Sequence, residues 1–150
     1  MPQSLSKIYV HITFSTKNRS PVLDDTIQPS LWAYISGICA NLECHAVRVG
    51  GYNDHLHICC LLSKKMTPVK LLEEIKKDSS KWMKTQGKQY ADFYWQDGYG
   101  IFSVNPSEIE TVVGYIDGQR EHHKKLTFQE ELLRFLKKYK VEYDERYLWN

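Results

Sequence analysis

The most constraining feature of this 150-residue sequence is the apolar stretch 55–62, which reads HLHICCLL. A short apolar run behind turn-forming residues indicates a buried β-strand. Side chains alternate between the two faces of a strand, so His55 and His57 project from one face and Leu56 from the other. Two imidazoles on one rigid strand face are suited to binding a metal ion, and we expect His11, on the same face of the first strand, to support them.

A second group of polar side chains lies further along the chain. Tyr115 and Gln119 are four residues apart, so on a helix a phenol and an amide project from the same face. The apolar residues of this segment form a separate stripe, which places Tyr115, Gln119 and His122 beside the core. With the histidine pair, they indicate a metal-assisted tyrosine nucleophile. The alternative is that the histidines are unrelated and that Tyr115 is a packing residue among ten tyrosines.

The hydrophobic periodicity predicts four strands and several helices along the chain. Strand patterns cover residues 8–14, 44–49, 55–62 and 101–104, and helix patterns cover residues 24–42 and 67–84 and segments that start near residues 105 and 127. The order βαββαβ is typical of a ferredoxin-like (RRM-like) antiparallel sheet, in which the first and third strands are central neighbours. We therefore predict an α+β fold with a C-terminal catalytic helix and a further helix.

Turn and cap residues predict where these elements begin and end. Gly50 and Gly51, together with Asn53 and Asp54, predict a hairpin between the second and third strands. Asn105 with Glu108 three residues later predicts a capping box. We expect the helix that begins there to continue through Gln119.

The length and composition limit the number of domains and the kinds of protein that this sequence can represent. The length and the 42% hydrophobic content predict one domain over residues 1–150. The net charge is only +2, so a nucleic-acid surface must come from local clusters. The four cysteines lack CxxC spacing, which argues against a disulfide framework. No signal peptide or membrane-spanning run is present, so we expect a cytoplasmic protein without membrane association.

The sequence around the polar residues resembles the single-tyrosine HUH transposases of bacterial insertion sequences, the IS200-like family related to REP-associated tyrosine transposases. His55 and His57 match the histidine–hydrophobe–histidine motif, Tyr115 matches the nucleophile and Gln119 matches the third metal ligand. Similarity extends to STKNR after the first strand, WQDGYG before the last strand, YIDGQ around the tyrosine and FQEE beyond it. The histidine pair precedes the tyrosine, as in transposases and replication initiators, whereas relaxases have the reverse order.

The resemblance implies a DNA transposase that cleaves and rejoins single-stranded DNA at hairpin-bearing element ends. Attack by Tyr115 gives a 5′-phosphotyrosine intermediate. The implied cofactor is Mg²⁺ or Mn²⁺ held by His55, His57 and Gln119, and Mn²⁺ fits better because Mg²⁺ prefers oxygen ligands. The resemblance also implies a homodimer in which the tyrosine helix of one subunit can complete the metal site of the other.

Basic clusters and aromatic side chains are the candidate DNA contacts. Cations bind phosphates and a tryptophan can stack on an unpaired base, although a solvated helix face is the alternative for any single lysine. The candidates are Lys17, Arg19, Lys77, Lys81, Trp95, Arg120 and Lys124.

Three other functions stay open at this point. The first is a domesticated relative that binds DNA hairpins without cleaving them, and the second is a replication-initiator or relaxase-type HUH nickase. The third is a ferredoxin-like metal or ligand sensor, which would explain the histidine pair but leave Tyr115 and Gln119 coincidental. The unbroken motif favours the transposase.

Overall fold

A four-stranded antiparallel sheet organises the computed structural model, which describes residues 3–149. The strands are β1 (Tyr9–Ser15), β2 (Ala46–Gly51), β3 (His55–Leu61) and β4 (Gly100–Val104). Their order in the sheet is β2-β3-β1-β4, so β1 and β3 are the central neighbours. This order confirms the predicted ferredoxin-like fold with βαββαβ topology.

One face of the sheet packs against α1 (Gln28–Asn41) and α2 (Pro68–Lys84). Ile12 of β1 and Ile58 of β3 are fully buried beneath these helices, because every second side chain of a strand points to the same face. Burying one such side chain contributes about 1.5–3 kcal/mol to stability. The helices add further fully buried side chains to this layer, namely Leu31, Ile35, Leu71 and Ile75.

The opposite face of the sheet is polar at its centre but equally buried. It carries His11, Thr13, His55 and His57, all at most 2% exposed. The helices that follow β4 are α3 (Ile109–Asp117), α4 (Gln119–His122), α5 (Phe128–Lys138) and α6 (Glu145–Leu148). Phe135 of α5 contacts His11 edge-on, with ring centroids 5.1 Å apart. Because buried polar groups require partners, the helices over this face have to supply them.

The predicted hairpin between β2 and β3 forms and turns at residues 52–54, which include Asn53 and Asp54, whereas the glycine pair belongs to the end of β2. β2 begins at Ala46, later than predicted, and includes both Gly50 and Gly51. A Cβ atom at Gly50 would lie 2.7 Å from Ile116 Cγ2, and one at Gly51 would lie 2.3 Å from the backbone oxygen of His55. The two glycines therefore allow neighbouring segments to approach closely.

Two predicted helix starts are displaced toward the C-terminus. α1 begins at residue 28 rather than residue 24, and Asp24 lies in the preceding turn, where its carboxylate accepts a hydrogen bond from the Ile27 N–H at 3.0 Å. Asn105 accepts a hydrogen bond from the Ser107 N–H at 3.0 Å and starts a short 3₁₀ turn. Asn105 thus caps without reciprocal help from Glu108, and the predicted capping box does not form.

The segment that carries Tyr115 is not one continuous helix. α3 ends at Asp117, and Gly118 has a ψ of 11°, which is outside the helical range. Gln119 therefore begins a separate short helix, α4. The side-chain Nε2 of Gln119 donates a hydrogen bond to the backbone carbonyl oxygen of Tyr115 at 3.3 Å, so the two residues remain neighbours across the break.

Two further expectations concern the chain as a whole. The four cysteines are free and buried, in agreement with the absence of a disulfide framework. Over residues 3–149, the helices are all too short or too polar to cross a membrane.

Candidate active site

His55 and His57 lie at the start of the central strand β3, and a different partner holds each ring from behind. His55 Nδ1 lies 2.7 Å from Asp54 Oδ1, and His57 Nδ1 lies 2.8 Å from His11 Nε2. Both histidines are fully buried. With each Nδ1 engaged in this way, both Nε2 atoms are directed toward the helices that cover this face of the sheet.

Side-chain oxygens from α4 and α5 meet these Nε2 atoms. Glu131 Oε1 lies 2.8 Å from His57 Nε2 and 3.5 Å from His55 Nε2, and Gln119 Oε1 lies 2.9 Å from His55 Nε2. The ligand atoms of His55, His57 and Glu131 all lie within 4.8 Å of one another. Among residues 3–149, no other three histidine, cysteine or acidic side chains converge in this way.

The hydrogen-bond pattern of His55 is consistent with a cation at this position. Its Nδ1 faces the Asp54 carboxylate and its Nε2 faces the Gln119 amide oxygen, and both oxygens are acceptors. A neutral imidazole has one N–H and can donate to only one of them. The Gln119 amide is oriented by its nitrogen, which donates to Glu131 Oε2 at 3.3 Å. A metal ion between His55 Nε2 and the oxygens would satisfy these facing lone pairs.

Burial and one carboxylate determine the charges in the site. Burial opposes ionisation of Glu131, but hydrogen bonds from His123 and His57, together with the electrostatic effect of His57 and His55, outweigh burial and hold the Glu131 pKa well below its ordinary value. Burial lowers the pKa of His57, and burial together with His57 lowers the pKa of His11 to about 3. The site therefore combines an ionised carboxylate with neutral imidazoles at His11 and His57, which are the charges that metal binding requires; a metal ion at His57 Nε2 would take the place of the proton that this atom shares with Glu131.

Tyr115 of α3 lies on the other side of the Glu131 carboxylate. Its hydroxyl donates a hydrogen bond to Glu131 Oε2 and lies 3.1 Å from His122 Nε2. Its ring contacts His57 edge-on, with centroids 5.6 Å apart. Burial, followed by the negative charge of Glu131, raises the pKa of the phenol above its ordinary value, so the hydroxyl keeps its proton. One carboxylate thus joins the histidine pair to the tyrosine within a single chain.

The structure brings His55, His57, Tyr115 and Gln119 together, as the sequence predicted, but sequence reasoning assigned no role to Glu131. Glu131 lies three residues after Phe128 and four before Phe135, and these are apolar residues of α5. At helical spacing it therefore shares their buried stripe. A carboxylate is rarely buried unless it is paired with another group. A glutamate within the apolar stripe of a helix is therefore the sequence feature that could have identified Glu131.

His123 is the other residue that sequence reasoning missed. Its Nε2 lies 2.9 Å from Gln119 Oε1 and 3.1 Å from Glu131 Oε2. Burial lowers the His123 pKa, but the hydrogen bond to Glu131, the negative charge of Glu131 and the hydrogen bond to the Leu126 carbonyl together outweigh burial, so the pKa is raised overall. The i, i+4 spacing from Gln119 is the only sequence signal for this contact.

Three of the predicted DNA contacts lie in the core or on the side of the sheet opposite to the histidines. Trp95 is only 8% exposed, packs edge-on against Phe14 and donates a hydrogen bond to Ser79 Oγ. Its ring is therefore core and has no free face for an unpaired base. Lys77 and Lys81 belong to α2, which packs on the face of the sheet opposite to the histidines.

The four other predicted cations lie at the surface. Lys17 and Arg19 belong to a 3₁₀ turn after β1, and the Arg19 guanidinium lies 5.9 Å from the Trp149 ring centroid. Arg120 and Lys124 follow Gln119, and each forms an ion pair with a surface carboxylate. Surface ion pairs contribute little and exchange easily, so a DNA role for these residues stays a prediction.

Two solved structures share this fold at low sequence identity. One is a protein from Deinococcus radiodurans R1 described as a candidate transposase, with 18% identity and a TM-score of 0.62 over 79% of this chain and 98% of that chain. The other is a REP-associated tyrosine transposase bound to a REP hairpin, with 17% identity and a TM-score of 0.60 over 82% of this chain and 73% of that chain. No curated protein matches the sequence.

A family model gives the more specific relationship. The model described as "Transposase IS200 like" matches residues 4–119, which include the histidine pair, Tyr115 and Gln119. The match covers most of the chain and ends before α5, so Glu131 lies outside it. The fold, the convergent site and this match lead to one conclusion: the chain belongs to the IS200-like transposase family.

Proposed function

We propose that this protein cleaves and rejoins single-stranded DNA at hairpin-bearing ends, with Tyr115 as the nucleophile. The observation that carries the proposal is the Glu131 carboxylate, which contacts the Tyr115 hydroxyl through one oxygen and the His57 imidazole through the other. Nucleophile and metal ligands are therefore neighbours in one chain. Family membership supports the reaction class.

The proposed cleavage is an in-line displacement at phosphorus. The Tyr115 oxygen forms a bond to phosphorus while the bond from phosphorus to the 3′ oxygen breaks, which leaves a 5′-phosphotyrosine and a free 3′ hydroxyl. The phenol proton passes to His122 Nε2, which lies 3.1 Å from the phenol oxygen and is a stronger base than the Glu131 carboxylate, and the departing 3′ oxygen takes a proton from solvent. Rejoining is the reverse step, with the 3′ hydroxyl of another DNA end as the nucleophile.

The protein groups available to hold a metal ion are His55, His57, Gln119 and Glu131. Two nitrogen and two oxygen ligands suit Mn²⁺ better than Mg²⁺, which prefers oxygen. When bound, the divalent ion would neutralise charge on the scissile phosphate and on the leaving oxygen. Asp54 and His11 orient the two imidazoles from behind and so fix the geometry of the site before substrate arrives.

The proposed substrate is single-stranded DNA that carries hairpins, acted on in the cytoplasm. A structural neighbour with a similar fold is bound to a REP hairpin, which supports this substrate class. A homodimer in which Tyr115 of one subunit serves the metal site of the other is part of the proposal. The single-chain arrangement of Tyr115 and Glu131 then corresponds to a state before such an exchange.

The test is formation of a covalent protein–DNA adduct. A hairpin-bearing single strand is incubated with Mn²⁺ and the protein, and the products are resolved on a denaturing gel and identified by mass spectrometry. We expect an adduct at Tyr115 from the wild type and none from Tyr115→Phe. Tyr94→Phe is the matched control, because Tyr94 is 58% exposed in a loop.

Other outcomes of the same experiment distinguish the alternatives. Tight hairpin binding without any adduct would indicate a non-cleaving binding protein. Metal binding without DNA affinity would indicate a sensor. Preference for replication origins over element ends would indicate an initiator or relaxase-type nickase. An undiminished adduct from Tyr115→Phe would remove Tyr115 from its proposed role.

A further inference from the structure

The face of α5 that carries Glu131 continues as a basic stripe. Arg134 and Lys138 follow Glu131 at spacings of three and seven residues, so they lie one and two turns further along the same side of the helix. Both are exposed, whereas Glu131 is buried. The stripe therefore leads from the buried carboxylate of the site out to solvent.

This stripe borders a groove beside the tyrosine. A cavity of about 160 Å³ is lined by Tyr115, His122, Leu126, Glu131, Arg134, Phe135 and Lys138. A wider open depression adjoins it and shares His122, Leu126 and Arg134 with it. Arg134 therefore lies where the depression leads to the tyrosine.

The rim of the groove is cationic. Arg134, Lys138, Lys124 and Lys125 are exposed along it, against one exposed carboxylate, that of Glu121. Lys124 pairs with that carboxylate at 2.9 Å. Within residues 3–149, Arg134 forms neither an ion pair nor a hydrogen bond. The Arg134 charge interacts electrostatically with the exposed Glu130 carboxylate, but its guanidinium N–H groups are not hydrogen-bonded to any carboxylate beside the Tyr115 site.

From these observations we propose that Arg134 binds a backbone phosphate of the DNA strand next to the linkage that Tyr115 attacks. The inference rests on the proposed function for the identity of the polyanion, and it adds a residue that positions that strand. A guanidinium can bind two phosphate oxygens at once and so fixes orientation as well as distance, which an ammonium group does less well. Lys138 and Lys125 continue the phosphate-binding path on either side of Arg134.

The position of Arg134 also explains what it would do for the reaction. Glu131 places a negative charge beside Tyr115, and a phosphodiester brings another. A cation one helical turn away attracts the strand to this otherwise unfavourable position. A neutral side chain at position 134 would leave the strand without an anchor there, although the tyrosine and the metal ligands would be intact.

The test is a scan of the DNA backbone with neutral phosphate substitutes. Binding to a set of fluorescent hairpin oligonucleotides, each with one methylphosphonate linkage, is measured by anisotropy in the Tyr115→Phe background, so cleavage does not interfere. We expect Arg134→Ala to weaken binding of the unmodified strand at least tenfold. We also expect the slope of log affinity against log salt to fall by about 0.7, the value for one single-strand phosphate contact.

The modified strands make the test specific. For the Tyr115→Phe protein, one linkage near the cleavage position should be more sensitive to neutralisation than the others. Adding Arg134→Ala should abolish the extra sensitivity at that linkage alone. Arg134→Lys should keep the salt slope but bind more weakly than arginine. Lys65→Ala, which removes a charge from an 83% exposed side chain, is the control and should leave the pattern unchanged.

Failure of this inference is distinguishable from failure of the proposed function. If the wild type forms the Tyr115 adduct but Arg134→Ala binds and reacts normally, the Arg134 proposal is overturned while the nuclease proposal stands. Equal sensitivity of both proteins at every linkage would overturn it as well. If no adduct forms with any hairpin, the nuclease proposal fails, and the backbone scan still decides whether Arg134 contacts a phosphate. Thermal melting of each variant checks that a loss of binding is not a loss of folding.

Discussion

At the scale of single residues, the candidate site depends on side chains that orient other side chains. His11 is not one of the proposed metal ligands, but its Nε2 lies 2.8 Å from His57 Nδ1 and fixes the direction of that ring. Asp54 acts in the same way on His55. An imidazole without such a partner could rotate, and the two Nε2 atoms would then no longer be directed at the same point. His11 and Asp54 are therefore as necessary to the site as His55 and His57.

A prediction at this scale concerns His11. Replacement by alanine removes the partner of His57 Nδ1 and should weaken Mn²⁺ binding about 10–100-fold, the usual effect of losing a group that orients a ligand. Isothermal titration calorimetry with Mn²⁺ measures this affinity. His45→Ala is the matched control, since His45 is exposed on the surface. Unchanged affinity in a folded His11→Ala protein would show that His57 is oriented by other contacts.

At the scale of secondary-structure elements, the position of α3 is determined by its contact with β2. Gly50 of β2 faces Ile116 of α3, the residue next to Tyr115, and Ile116 is 2% exposed. The absence of a Cβ atom at Gly50 lets α3 lie close to the sheet. The distance of Tyr115 from the sheet is therefore set by the close packing of α3 on β2 as well as by the hydrogen bonds of the tyrosine itself.

The corresponding prediction is that Gly50→Ala displaces α3. A Cβ atom there would lie 2.7 Å from Ile116 Cγ2, so we expect a loss of about 1–3 kcal/mol of stability by overpacking and a reduced yield of the Tyr115 adduct. Urea unfolding and the adduct assay measure the two effects.

Two controls accompany this substitution. In an Ile116→Ala background, which removes Cγ2, the added cost of Gly50→Ala should shrink, as expected for directly interacting residues. Gly37→Ala in α1 is the matched glycine control, because a Cβ atom there meets nothing within 4 Å and the substitution should stabilise the helix by about 1 kcal/mol. Equal costs of Gly50→Ala in both backgrounds would argue against the Ile116 contact.

At the scale of the whole molecule, the proposed metal ligands come from β3, α4 and α5, which are distant in sequence. The unfolded chain does not hold these donors together, so an ion that binds them stabilises the folded state. We predict that Mn²⁺ at 100 times its Kd adds about 2.7 kcal/mol to the free energy of unfolding. Chelation should reverse the effect.

Thermal unfolding with and without Mn²⁺ measures this linkage. Glu131→Gln keeps the shape of the side chain but removes its charge, so its Tm should respond much less to Mn²⁺ than the wild-type Tm does. Asp92→Asn, at an exposed loop position, is a control for the loss of one negative charge. An equal shift of Tm in the Glu131→Gln variant would show that the ion binds elsewhere.

The sequence alone was sufficient for the features that follow from local periodicity. The alternation along residues 55–62 correctly predicts that both histidines share a face, and the order of strand and helix patterns predicts the sheet. The spacing of Tyr115 and Gln119 predicts that they are neighbours, although the break at Gly118 places them on different helices.

Only the tertiary structure decided which residues complete the site and which surfaces are free. Glu131 joins the histidines because α5 folds back over the sheet, and Trp95, a predicted DNA contact, is buried because its loop packs into the core. Local residue spacing does not predict contacts between segments that are far apart in the chain, because these contacts depend on how amphipathic elements pack on one another. In this protein, the packing of α5 on the sheet places the Glu131 carboxylate between the two histidines and Tyr115.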